Sequence, residues 1–239
     1  MKRNILLGLN KSSLALVCQV GQLAQGQGMK AHLVGGPVRD LLLKHPNVDL
    51  DITVEGNGMR LAAIFAAQYP GAVVTCYPAF KTATVLLPGN RMVDFATARK
   101  ETYARPGVFP AVVPSNIRED LLRRDFTINA LAIALNPTIW GRMQDPSGGL
   151  ADLRAKKIRV LHDQSFIDDP TRILRTARFK ARLDFTIERT TMKWLKAAVR
   201  AKALDAIKPQ RYLKEFNKIL KEKSSKSALK YLKLWNALM

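Results

Sequence analysis

The sequence predicts an α+β protein, a small mixed sheet flanked by helices and followed by an all-helical region. Three observations carry this. Short strand-like runs recur between residues 31 and 95, with helical patterns between them. From Pro170 onward the apolar residues keep helical spacing. The charge also divides: of 39 Lys and Arg and 19 Asp and Glu, nineteen basic but only five acidic residues lie from Arg172 to Met239. The expected division is a head over residues 1–165 and a helical neck over 166–239.

The elements follow in order. Residues 10–29 read as a helix, with Leu14, Val17, Cys18 and Val20 at roughly helical spacing. Residues 31–34 read as a short strand, Gly35-Gly36 as a turn, and Val38 to Leu43 as a helix opening directly after the glycines. Asp49 to Val54 alternates polar and apolar, the pattern of a half-buried strand. Met59 to Tyr69 is an alanine-rich helix, and 72–76, 82–87 and 91–95 are strands joined by Pro- and Gly-containing turns. Residues 97–118 lack periodicity and contain three prolines, so they read as a long loop of a kind that is often functional. Leu121 to Leu135 reads as a helix and Ile158 to Leu161 as a strand. Three later helices are lined by Ile173, Leu174 and Ala177, by Tyr212, Phe216 and Ile219, and by Ala228, Leu232 and Trp235. The last carries an apolar face that either packs back on earlier helices or is covered by a missing segment, a partner subunit or an oligomer contact.

Composition narrows the function classes. No apolar run reaches the ~18 residues of a membrane span, and Gly8, Asn10 and Lys11 interrupt the basic, partly apolar start. Cys18 and Cys76 fit neither a metal spacing nor a disulfide framework, so a cytoplasmic setting is expected. A formal charge of +20 favours a polyanion partner, of which nucleic acid is the commonest.

The chemistry centres on Asp49-x-Asp51. Residues two apart on a strand share a face, so two carboxylates stand side by side and repel unless a cation intervenes. Mg²⁺ suits such hard oxygen ligands, being held by one or two carboxylates plus substrate phosphates. Alone, the pair is equally compatible with a solvated polar face. Gly35-Gly36 upstream, leading into a helix start, adds a place for a phosphate.

Gly35-Gly36-Pro37-Val38-Arg39-Asp40, followed by Asp49-Leu50-Asp51, resembles the first motif of the class II CCA-adding enzymes and bacterial poly(A) polymerases, within the polymerase β nucleotidyltransferase superfamily. Arg123-Arg124-Asp125-Phe126-Thr127-Ile128-Asn129-Ala130 resembles the second motif. Asp145-Pro146-Ser147-Gly148-Gly149 with Ala151-Asp152-Leu153 resembles the third. Asp168-Asp169-Pro170-Thr171-Arg172, with Arg175 and Ala177-Arg178-Phe179, resembles the nucleotide-selecting motif. Four motifs in order, over roughly residues 30 to 220, are far more specific than a single glycine-rich loop. The fold implied is a polymerase β-like nucleotidyltransferase head followed by the helical neck.

The resemblance implies that Asp49 and Asp51 bind two Mg²⁺ ions, with Asp94 as a third catalytic carboxylate or a structural Asp on its strand. It places Gly35, Gly36, Arg39, Arg124, Asp125 and Asn129 at the nucleotide, with Arg175 and Arg178 reaching phosphates or pairing at the surface. Asp169 and Arg172 are implied to select the base. Cytosine and adenine both offer an amino donor beside a ring-nitrogen acceptor; Asp accepts from the first and Arg donates to the second. Uracil and guanine present the opposite polarity and leave buried groups unpaired. The alternative for this pair is a helix cap plus an exposed Arg. The 97–118 loop, with Arg99, Glu101, Tyr103 and Arg105, matches a flexible element that in the family helps the site switch from C to A.

Two departures stand out. Asp168 replaces the Glu of many relatives, and the chain stops shortly after the neck-like region, where relatives continue into tRNA-binding body and tail helices. Lys208, Arg211, Lys214, Lys218, Lys221 and Lys223 are candidates to hold RNA phosphates in their place. The expected activity is template-independent addition of C and A, from CTP and ATP, to the tRNA 3′ end. Alternatives are CC-only, A-only or poly(A) addition, and, in another class, a non-catalytic RNA-binding head.

Overall fold

The computed structural model of the chain describes residues 5–45 and 49–238. The basic start at Lys2 and Arg3 and the chain end at Met239 lie outside the described residues. The chain forms two compact units, each described by itself. The first comprises 1–100, 112–124 and 129–147; the second comprises 101–111, 125–128 and 148–239.

In the first unit, α1 (Lys11–Gly26) is capped by Asn10, whose side chain accepts from Ser13 N at 2.8 Å. Its buried face runs through Leu16, Val17, Val20 and Ala24. A Cβ at Gly21 would stand 1.8 Å from the Leu135 carbonyl oxygen, so glycine lets α1 approach that backbone. Then follow β1 (Lys30–Val34), α2 (Gly36–Leu42), β2 (Asp51–Glu55), α3 (Gly58–Ala66), β3 (Val73–Tyr77), β4 (Thr82–Leu87) and β5 (Arg91–Thr97). The segment expected to be one long loop contains β6 (Arg99–Thr102), β7 (Ala111–Pro114) and the start of α4 (Ile117–Leu122). The unit closes with β8 (Ala132–Ala134) and β9 (Met143–Gln144).

The main sheet runs β3-β4-β5-β2-β1-β8-β9. β2 and β5 are parallel, and the other neighbours are antiparallel, so the sheet is mixed as expected. One expected element is absent: there is no helix over 121–135. α4 ends at Leu122, a 3-10 turn spans Thr127–Asn129, and β8 pairs with β1 inside the sheet. Ala130 to Leu135 are all buried. A strand covered on both faces shows no alternation, and its alanines imitate a buried helix.

The second unit contains α5 (Gly149–Arg154), β10 (Lys157–Ile158), α6 (Ser165–Asp168), α7 (Thr171–Leu183), β11 (Thr186–Ile187), α8 (Arg189–Arg200), α9 (Pro209–Leu220) and α10 (Ser225–Leu234). It is helical apart from β10 and β11, which pair in parallel. Its core includes Phe126, Phe166, Ile173, Leu174, Phe179, Leu195 and Ile219, with Phe126 edge-on to Phe179 at 5.6 Å. Residues 125–128 belong to this unit, with Phe126 in its core. Ala228, Leu232 and Trp235 are buried, and α10 packs on α7 and α9, so that apolar face turns back on earlier helices. Among the described residues no helix is long and apolar enough to cross a membrane.

Candidate active site

The first unit carries the expected carboxylates. Asp51 opens β2 and lies in register with Asp94 on parallel β5. Strand alternation puts Asp51, Thr53 and Asp94 on one face of the sheet. The other face carries Ile52, Val54 and Phe95, with Phe95 5.5 Å from Phe65 of α3. Asp49 is exposed and precedes the strand, although the ladder extends past Asp51 through Asp94 N to Leu50 O at 2.9 Å. Thr84 Oγ1 donates to Asp94 Oδ1, orienting that exposed carboxylate.

Burial pushes the half-buried Asp51 carboxyl up to about 6; Asp94 and Asp49 add to the effect and Arg124 opposes it. Asp51, Asp94, Thr84, Tyr77 and Arg124 line an open cavity of about 280 Å³. Among the described residues no three His, Cys, Asp or Glu side chains form a metal-binding group by themselves. Two crowded carboxylates opening on a cavity nevertheless fit an octahedral cation that draws its remaining ligands from water and substrate phosphates.

The glycine turn lies in the same unit. Gly35 has φ 71° and adjoins Arg124: a Cβ there would stand 2.7 Å from Arg124 Nη1. Arg124 is held by Asp120, Nη2 to Oδ2 at 2.9 Å. Burial alone raises the Asp120 carboxyl, but Arg124 and Arg123 outweigh it and hold it below its ordinary value. Gly36 begins α2, whose seven residues make a short helix with a correspondingly small dipole.

Arg39 and Asn129 are bonded to each other in the first unit. Both are buried; Arg39 Nη1 donates to Asn129 Oδ1 at 2.6 Å and Nε to Asp40 Oδ1 at 2.8 Å. They tie α2 to the turn before β8. Asn129 closes the 3-10 turn that stands where the helix over 121–135 was expected.

The second unit carries the selecting residues. Asp169 is the C-cap of α6, with Pro170 between it and α7, and its Oδ1 accepts from Thr171 N at 3.2 Å and Thr171 Oγ1 at 2.6 Å. These bonds close a local turn across Pro170, the α7 N-cap, and Arg172 is buried rather than exposed. Asp125 is buried and paired with Arg175, Nε to Oδ2 at 2.9 Å and Nη2 to the same oxygen at 2.5 Å. Arg178 lies 3.8 Å from Glu215 and 3.4 Å from Glu222, with its guanidinium 4.8 Å from the Phe179 ring centroid. Burial, then the neighbouring Arg175, pulls the Arg178 pKa down. Asp125, Arg175 and Arg178 are therefore engaged with protein groups. Sequence reasoning missed Glu215, and saw Arg211 only as one more basic residue. A lone acid among the lysines of a basic helix was the available signal.

The family pattern described as Poly A polymerase head domain matches residues 31–159, more than half of the chain. The chain belongs to the poly A polymerase head domain family. A second pattern, described as the probable RNA and SrmB-binding site of polymerase A, matches 184–236. An A-adding tRNA nucleotidyltransferase of Aquifex aeolicus is 47% identical over 194 residues, covering 81% of this chain and 23% of that protein. A CC-adding tRNA nucleotidyltransferase of Deinococcus radiodurans is 42% identical over 160 residues, covering 66% of this chain and 42% of that protein. A solved structure of a CCA-adding enzyme, apo form II, superposes with a TM-score of 0.91 at 41% identity, covering 98% of this chain and 55% of that one. The chain thus spans between about a quarter and just over half of the length of these relatives. Nucleotidyltransferases of the polymerase β type use divalent metal ions.

Proposed function

We propose that this chain provides the catalytic head and neck of a template-independent tRNA nucleotidyltransferase, which adds C and A from CTP and ATP to the tRNA 3′ end in the cytoplasm. The observation that carries the reading is the in-register pair Asp51 and Asp94, in which burial, with Asp94 adding to it, raises the Asp51 carboxyl to about 6. Asp51 with Asp49, and Asp94 beside them, would hold Mg²⁺. When bound, the ions lower the pKa of the RNA 3′-hydroxyl and neutralise charge on the departing pyrophosphate.

The chain's own residues do the rest. Thr84 orients Asp94, and Arg124, braced by Asp120, offers a cation beside the Gly35 turn for a phosphate. Asp169 accepts from the exocyclic amino group of cytosine or adenine, and Arg172 donates to the ring nitrogen. Arg39 and Asn129 shape the glycine turn from beneath rather than touching nucleotide, and Arg175 and Asp125 brace α7. The lysines and arginines of α8 and the lysines of α9 hold RNA phosphates.

A-only addition is a second reading, favoured by the A-adding name of the Aquifex relative, the highest identity of the three compared. One experiment separates the readings. The protein is incubated with Mg²⁺, each labelled nucleotide, and tRNA lacking its terminus, ending in C, or ending in C-C. Full CCA addition extends all three RNAs. A-only addition extends the C-C end with ATP alone, CC-only addition stops after two cytidines, and long A tracts indicate poly(A) synthesis. No extension of any RNA, with binding retained, leaves the non-catalytic RNA-binding head.

A further inference from the structure

Arg211, in the first turn of α9, reaches two places at once. Nη2 donates to Asp169 Oδ1 at 3.0 Å, while Nη1 donates to the carbonyl oxygens of Gly107 at 2.6 Å and Val108 at 3.4 Å. Its guanidinium lies 4.7 Å from the Phe109 ring centroid, within cation–π range. Gly107 N donates back to the Asp168 carbonyl at 3.3 Å. Gly107 has φ 72°, and a Cβ there would stand 2.5 Å from the Ala206 carbonyl oxygen, so the loop lies tight against the turn before α9.

The two oxygens of Asp169 are unequal. Oδ1 accepts three bonds, from Arg211 Nη2, Thr171 N and Thr171 Oγ1. Oδ2 accepts none among the described residues. A carboxylate swivels broadly about its terminal torsion. Three donors on one oxygen remove that freedom and leave the other as the free acceptor.

We propose that Arg211 is a positioning residue for base selection: with Thr171 it holds Oδ1 of Asp169, presents Oδ2 to the exocyclic amino group of cytosine or adenine, and couples that orientation to the 101–111 loop. The inference rests on Asp169 reading the base. Arginine suits the task because its planar fork spans both partners, which a lysine ammonium cannot do with the same geometry.

The test compares the full chain with Arg211→Ala and Arg211→Lys, using two measurements that need no turnover. Hydrogen exchange over residues 101–111 reports the loop, and equilibrium binding of CTP, ATP, UTP and GTP reports selection. In Arg211→Ala, amide exchange at Gly107 to Phe109 accelerates and the preference for CTP and ATP over UTP and GTP falls about tenfold or more. Arg211→Lys folds with less disturbance and gives an intermediate preference. Faster loop exchange with unchanged preference in both variants makes Arg211 a loop anchor only and overturns the proposal, as does no change in either measurement. A wild-type chain with no preference among the four nucleotides strikes the reading of Asp169 itself, and the role of Arg211 falls with it.

Discussion

Replacing Asp51 by Asn should stabilise the metal-free chain while destroying its chemistry. Burial, with Asp94 and Asp49 beside it, lifts the Asp51 carboxyl from 3.8 to about 6. A shift of one unit is worth about 1.36 kcal/mol, so a shift of about two units sets a ceiling of about 3 kcal/mol on the cost of ionising Asp51 in the fold. Partial solvent exposure and the lost attraction to Arg124 reduce this to about 1–2 kcal/mol. The folded pKa lies above the unfolded one, so the group's contribution is intact below about pH 4 and lost as pH rises through about 6. Asparagine does not ionise and escapes that loss. In EDTA at pH 8, Asp51→Asn should unfold roughly 3–6 °C above wild type, with the gain shrinking towards pH 4.5. Mg²⁺ should raise the wild-type midpoint at pH 8 and leave the variant nearly unmoved, because the ion binds the folded site. Thermal unfolding across this pH range, with and without Mg²⁺, provides the assay. Equal midpoints at pH 8 in EDTA, or a gain of the same size at pH 4.5, would sink the account of crowded carboxylates.

Four further outcomes are expected. Gly35→Ala places a methyl group 2.7 Å from Arg124 Nη1 and imposes φ 71° on an L-residue; urea denaturation should register a loss of about 2–4 kcal/mol, and Arg124→Ala in the same chain should recover part of it. Asp169→Ala with Arg172→Ala should weaken discrimination against UTP and GTP, and unchanged incorporation ratios would refute base selection by this pair. Burial, with Lys30 adding to it, lowers the His32 pKa to about 4, so its contribution is full above pH 6.5 and drains away as pH falls towards 4. His32→Phe should therefore spare the chain about 2 kcal/mol of acid destabilisation at pH 5, read as the difference in urea midpoints between pH 7 and pH 5. Glu215→Ala should cost about 2–4 kcal/mol in urea, because Arg175 and Arg178 lose a shared carboxylate at 3.7 and 3.8 Å.

Five of the nineteen acids are buried, and each pairs with an arginine. Asp40 and Asp120 brace Arg39 and Arg124 in the first unit; Asp125, Asp152 and Glu215 brace Arg175, Arg159 and Arg178 in the second. Those acids fix arginine geometry from within, and much of the remaining basic excess faces outward, available to a polyanion. The shallow basic groove of Arg189, Lys193, Lys196 and Arg200 along α8 is one such surface.

Where local rules govern, the sequence was legible. Alternation announced β2, the glycine pair announced the turn before α2, and the spacing of Tyr212, Phe216 and Ile219 announced α9. Four motifs in order carry the family resemblance along the sequence alone. The sequence could not reveal β8, because a strand buried on both faces loses its period of two and shows only an apolar run. Nor could it sort the arginines. Arg39, Arg124, Arg172, Arg175 and Arg211 look alike in one dimension. Only the tertiary structure commits Arg39 to Asn129, Arg175 to Asp125, and Arg211 to Asp169 and the Gly107 carbonyl. These partners lie 42 to 104 residues away along the chain. A guanidinium takes its role from the acceptors nearest it in space, and for these three those are set largely by how the elements pack.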